Sequence, residues 1–146
     1  MQKNIIIITG LNNLIKLNHM ITFRSPEMDK KYNDWKEAGG HKENDGCLFC
    51  SMKRAIKEYK YWIITKNDFP YDRYFRICDM LSPRRHVATL EELTVEEHLE
   101  YLKLRKELSI DYNVLLENFG DTKTISHFHV HLLVYNDREK SGRLIK

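Results

Sequence analysis

The segment His127-Phe128-His129-Val130-His131-Leu132-Leu133 sets three histidines at every second position with apolar residues between them. Side chains alternate faces along a strand, so His127, His129 and His131 share one side and Phe128, Val130 and Leu132 the other. Neighbouring imidazoles on that side stand about 6.5–7 Å apart. A helix would scatter the same residues around its circumference, and their β-branched and aromatic content disfavours one. The apolar face is fit to cover a core while the histidine face opens toward something polar. Three neutral imidazoles on one face can ligate a metal, or one can act as a nucleophile with the others in support. The bland reading is a surface strand rich in histidine, and the regular alternation argues against it.

Cys47 and Cys50, in Gly46-Cys47-Leu48-Phe49-Cys50, form a C-x-x-C pair. In a reducing compartment such a pair reads as zinc or redox chemistry. A structural zinc site takes four ligands, and the chain has no second C-x-x-C, so histidines are the obvious supply. The redox reading wants a βαβ context that the pattern lacks. His86, at the end of Ser82-Pro83-Arg84-Arg85-His86, becomes a candidate ligand beside a cysteine pair short of two partners. Cys78 stands alone in an apolar run and reads as core. Three cysteines, an odd number, do not read as a disulfide framework.

A chain of 146 residues supports one domain with a real core. Lys and Arg total 24 against 21 Asp and Glu, a net charge of +3, with no basic run that would announce nucleic acid or membrane. The four-isoleucine run at Ile5–Ile8 is too short for a signal-peptide core or a membrane span. A soluble, cytoplasmic setting is expected. Residues 1–23 read as an N-terminal extension, an edge strand or a poorly ordered tail, and 24–146 as a single domain. Residues 1–40 look least like core, and 36–46 read as a charged, glycine-containing loop.

From Cys47 the pattern is dense. It predicts a short helix within 49–59, strands over 60–67, 74–81, 111–118 and 124–135, and a main helix over 93–108. The last two strands are close enough to pair as a hairpin. Thr94 reads as the N-cap of the main helix and Glu97 completes a capping box. Val95, Leu99 and Leu102 form one apolar stripe of that helix and Tyr101, Leu104 and Leu108 another, so it is expected to be covered on two sides. The tail from Asn136 is polar.

The motif His127–Leu133 resembles the signature of the histidine-triad (HIT) nucleotide-binding superfamily. Other segments agree in order. The cysteine pair resembles that of zinc-containing members. Residues 67–71, 82–97 and 117–127 resemble the ribose-side turn, the lead into the family's helix and the loop before the triad. Residues 24–32 are similar to the start of the diadenosine-polyphosphate phosphorylase-like branch. The resemblance spans about residues 24–135. It implies an α+β fold: a HIT-like antiparallel sheet with one main helix and a short second one, usually dimeric. It implies a nucleotide or dinucleoside polyphosphate as substrate, cleaved or transferred at the α-phosphate. His129 would be the nucleophile, forming a nucleotidyl-histidine. His131 would donate to phosphate oxygens, Thr124 would contact the leaving group, Asn118 the phosphate side and Asn67 the ribose. Cys47, Cys50, His86 and His127 would hold a structural zinc, with His41 in reserve. The chain departs from the family in a shorter loop before the triad, without its glycine-rich step, and in lacking a Pro-Gly-His turn after the ribose segment. Arg73, Arg76, Arg84 and Arg85 either compensate for this or are surface charge. Two alternatives stand beside the enzyme: a nucleotide sensor of the same fold without turnover, and a metalloenzyme whose ion is held by His127, His129 and His131 themselves.

Overall fold

A computed structural model of the chain describes residues 22–40, 46–51, 54–119 and 123–137. The elements in order are α1 (Pro26–Glu37), β1 (Ala55–Glu58), β2 (Trp62–Lys66), β3 (Phe75–Pro83), α2 (Val95–Leu108), β4 (Val114–Leu116) and β5 (Val130–Tyr135). The strands form one antiparallel sheet in the order β1-β2-β3-β5-β4. Consecutive β1, β2 and β3 form a meander, and β5 inserts between β3 and β4. The fold class is thus α+β, as expected from the sequence. No described helix is long and apolar enough to cross a membrane.

Alternation along the strands divides the sheet into two faces. On one, Trp62, Ile64, Leu81, Val130 and Leu132, with Phe128 just before β5, pack against Tyr101, Leu104 and Leu108 of α2. Burying a side chain of this size stabilises the fold by about 1.5–3 kcal/mol, and Trp62 is 0% exposed. Its indole stacks on Tyr101 at 4.8 Å between ring centres. Its Nε1–H donates to the Glu97 carbonyl at 2.9 Å, so the largest core side chain also meets its polar obligation. The Thr94–Glu97 capping box forms as read from the sequence, fixing where α2 starts. Glu97 also receives Arg85 through two guanidinium nitrogens at 3.0 and 2.7 Å, tying α2 to the turn that carries His86.

Several expectations are corrected. The helix expected within 49–59 is not found among the described residues there: 48–51 make turns, and Ala55–Glu58 pair as an edge strand with β2. Sheet pairing overrides the helix-forming Ala, Lys and Glu content of that strand. The second helix is α1, inside the region read as least like core. Its signals are present: Ser25 caps Met28 N–H, Pro26 opens the helix and Glu27 and Asp29 lie in its first turn. Gly39, at φ 79°, ends it in a conformation that favours glycine. Helix α1 fully buries no residue, and its apolar positions, Met28, Tyr32 and Trp35, form a stripe of only three half-buried side chains among charged ones. The expected strand over 124–135 is a ladder only from Val130, and 111–118 only over 114–116. His127–His129 run outside the ladder, yet Phe128 N–H donates to the Val87 carbonyl at 2.7 Å and keeps the alternation of faces. Only one stripe of α2 is covered. Val95, Leu99 and Leu102 are 70%, 61% and 57% exposed. The readings for Ile5–Ile8 and His41 lie outside the described residues, as does the part of the 36–46 loop spanning 41–45.

Candidate functional site

The second face of the sheet carries the histidines. His131 sits in β5 opposite Met80 of β3. His127 and His129 continue toward the turn after β3. Each of the three imidazoles has a different environment.

His127 is fully buried, and its Nε2–H donates to the Pro83 carbonyl at 2.8 Å. A carbonyl only accepts, so the proton is on Nε2 and the Nδ1 lone pair faces away from it. Nδ1 lies 3.2 Å from Cys47 Sγ and 3.5 Å from Cys50 Sγ, while His86 Nδ1 lies 3.4 Å from Cys50 Sγ. All four ligand atoms fall within 4.8 Å of one another. A sulfur and a nitrogen sharing a tetrahedral zinc stand about 3.5 Å apart. Two thiols and two imidazoles, one with its tautomer already set by a backbone carbonyl, therefore fit that metal. The carbonyl of Pro83 and the ring of His86 both come from the turn that Glu97 holds through Arg85.

His129 is 8% exposed and opens onto a cavity of about 540 Å³. Its Nδ1–H donates to the carbonyl of His127 at 2.8 Å. That bond leaves Nε2 as a base with a free lone pair. Burial pushes its pKa below the usual histidine range, with Lys123 adding to the effect and the His127 carbonyl opposing it. The ring is therefore neutral near pH 7. Phe49, itself buried, packs on it at 5.1 Å and also on His127 at 5.4 Å.

His131 is buried too, with Nε2 3.3 Å from both Tyr71 Oη and Asn118 Nδ2. Its Nδ1 is buried without a hydrogen-bond partner. Burial first, then the neighbouring His129 and Arg24, depress its pKa to about 3. Asn118 Nδ2 also donates to Tyr71 Oη at 3.3 Å, closing a small polar triangle beneath the cavity. The ring nitrogens of the three triad residues do not gather as one set of metal ligands: His127 turns to the cysteines, and the described cluster with metal-holding spacing is Cys47, Cys50, His86 and His127.

Asn67, Asn118, Thr124, His129 and His131, all singled out in the sequence, line this same cavity. Asn67 Oδ1 accepts from Phe69 N–H at 2.9 Å and shapes the turn it starts. The outer wall is what sequence reasoning missed. It comes from α1 and the residues before it. Tyr32 stacks on Trp35 at 5.9 Å, Trp35 meets Phe69 at 5.0 Å, and the Tyr32 hydroxyl is hydrogen-bonded to Thr124. Ser25 clamps the segment to the turn between β2 and β3, its N–H and hydroxyl donating to the two oxygens of Asp72 at 2.7 and 2.6 Å. The Ser25-Pro26 start signal and the aromatic spacing of Tyr32 and Trp35 were the legible clues. The arginines near the cavity are Arg24 and Arg54, not those weighed earlier: Arg84 pairs with Glu58, Arg85 with Glu97, and neither Arg73 nor Arg76 lines it.

No protein-family model matches this chain, and no curated protein sequence matches it. Solved structures do. A hypothetical histidine triad nucleotide-binding protein from Sulfolobus tokodaii strain7 superposes with a TM-score of 0.50 at 21% identity, covering 62% of this chain and 73% of that one. A HIT family hydrolase from Legionella pneumophila Philadelphia 1 gives 0.48 at 21% identity over 61% and 92% of the two chains. A Zn-bound histidine triad family protein from Mycobacterium smegmatis gives 0.48 at 20% identity over 67% and 88%. The fold is the α+β architecture of the histidine triad proteins.

Proposed function

We propose that this chain is a histidine-triad enzyme that binds a nucleotide and cleaves or transfers its nucleotidyl group through a covalent bond to His129. The observation that carries this reading is the hydrogen bond from His129 Nδ1 to the His127 carbonyl, which leaves a neutral, buried Nε2 lone pair at the cavity. In the first step Nε2 forms a bond to the α-phosphorus, and the bond from phosphorus to the leaving group breaks. In the second, water or another acceptor attacks the same phosphorus and the N–P bond breaks, returning the electron pair to Nε2. Dividing the displacement lowers each barrier. His131, Asn118 and Thr124 supply hydrogen-bonding groups around the phosphate, where donors aimed at developing charge contribute most. Asn67 stands on the ribose side.

Cys47, Cys50, His86 and His127 would hold a zinc ion. With four protein ligands it would be structural, pinning the segment before β5 to two distant turns. It bears on catalysis only through position: His127 offers its ring to that set and its carbonyl to His129. The exposed stripe Val95, Leu99 and Leu102 is assigned to a second copy of this chain, which would bury an apolar face that the monomer leaves open.

Incubation with a dinucleoside polyphosphate or adenosine phosphoramidate should release a nucleoside monophosphate. An acid-labile nucleotidyl adduct should be trapped on the wild-type protein, and His129→Ala should abolish both while leaving the circular dichroism spectrum unchanged. Turnover retained in that variant removes His129 from the chemistry. Tight nucleotide binding with neither product nor adduct in the wild type replaces the enzyme by the sensor.

A further inference from the structure

Arg24 is held in an unusual way for a residue next to a cavity. Its Nε–H donates to the Phe69 carbonyl at 2.9 Å. Its guanidinium carbon lies 3.9 Å from the centre of the Tyr32 ring and 4.9 Å from that of Tyr71. One hydrogen bond and two aromatic faces thus fix the plane of the group. No carboxylate among the described residues lies within ion-pair distance of it. Asp72, which meets the neighbouring Ser25, is taken by it through both oxygens. Arg54, on the same cavity, is by contrast paired with Asp68. Lys36 adds a second cation, its Nζ 4.9 Å from the Tyr32 ring centre. Arg24 shares the cavity with two imidazoles that burial keeps uncharged.

The terminal nitrogens of this guanidinium hydrogen-bond to no described residue and are not closed off from water, so an anion in the cavity can replace solvent on them without first breaking an ion pair. The group is planar, pre-oriented and open on its forked edge, which is the geometry that takes two oxygens of a phosphoryl group at once. Rotating away is not open to it without breaking the bond to Phe69 and losing both rings.

We propose that Arg24 is the anion-recognising residue of this cavity, accepting two non-bridging oxygens of a phosphoryl group of the bound ligand. This rests on the nucleotide reading of the site and adds to it a residue from outside the sheet. It divides the labour of the cavity: His129 meets the phosphorus from the sheet, and the segment before α1 supplies the fixed charge.

The test compares adenosine with adenosine monophosphate by calorimetric titration, using wild type, Arg24→Met and Arg24→Lys. Methionine keeps an unbranched stem between the two rings and removes the charge and the fork. The expected result is that wild type binds the monophosphate more tightly than the nucleoside by about ten- to a hundredfold, the worth of a charge-assisted bidentate contact. Arg24→Met should lose that ratio while binding adenosine as wild type does. Arg24→Lys should recover part of it. An unchanged ratio in Arg24→Met overturns the inference and leaves the reading of His129 intact. Equal loss of both ligands in Arg24→Met, with faster proteolysis within residues 22–40, also overturns it, since Arg24 would then serve only to fasten the segment. Failure of wild type to bind either compound ends the nucleotide reading and this inference together.

Discussion

Acid should weaken this fold through His131 by a computable amount. Its folded-state pKa is about 3, against about 6.5 in an unfolded chain. Between those values the unfolded chain holds a proton that the folded one does not. Stability therefore rises with pH across that window and is lost as pH falls below the unfolded value. A unit of pKa difference is worth about 1.36 kcal/mol, so at pH 5, about 1.5 units below 6.5, the loss is about 2 kcal/mol. By pH 3, where the folded state begins to bind the proton as well, it would be about 4 kcal/mol. The comparison is with His131→Gln, which does not titrate there and whose side-chain carbonyl can accept from Asn118 and Tyr71 in place of Nε2. Urea unfolding followed by circular dichroism, at pH 8 and pH 5 with zinc held in excess, measures the difference. Other histidines that charge on unfolding are the same in both proteins and cancel. Wild type should lose about 2 kcal/mol more than the variant between the two pH values. Equal losses would mean that His131 is not kept neutral by its surroundings, and the account of it as an uncharged group beside the phosphate would fall.

Purified wild type should carry about one zinc per chain by elemental analysis and Cys47→Ser little or none. Unchanged zinc in that variant would move the metal elsewhere. The double change Leu99→Glu and Leu102→Glu should convert a dimer to a folded monomer by light scattering, since both side chains stand clear of the monomer's core. Trp62→Phe should lower the unfolding free energy by about 2–3 kcal/mol, from a lost hydrogen bond to Glu97 and a partly filled void. A variant within 0.5 kcal/mol of wild type would show that the indole is not the keystone of that face.

Much of the sheet face was readable because two chemistries alternate along one segment. His129 and His131 against Phe128, Val130 and Leu132 announce both a site and a core, and the capping box at Thr94 announces where α2 begins. The cysteine pair and His86 were readable as an incomplete ligand set. What completes it, the tautomer imposed on His127 by the Pro83 carbonyl, depends on a turn whose path no pattern displays. Residues 49–59 misled because helix propensity competes with a strand partner that is visible only in three dimensions. The aromatic wall was passed over for another reason. Tyr32 and Trp35 lie on a short helix that fully buries nothing, and Arg24 comes just before it, so three half-buried apolar positions among many charged ones did not read as core.

That last feature bears on how such a protein can change over generations. The buried core lies between the sheet and α2, whereas residues 22–40 border the cavity and add little to that core. Substitutions there escape the penalty that usually accompanies new specificity. On the function proposed above, ligand preference is free to drift along one short segment, clipped on at Ser25 and Asp72, while His129 and its supports stay as they are.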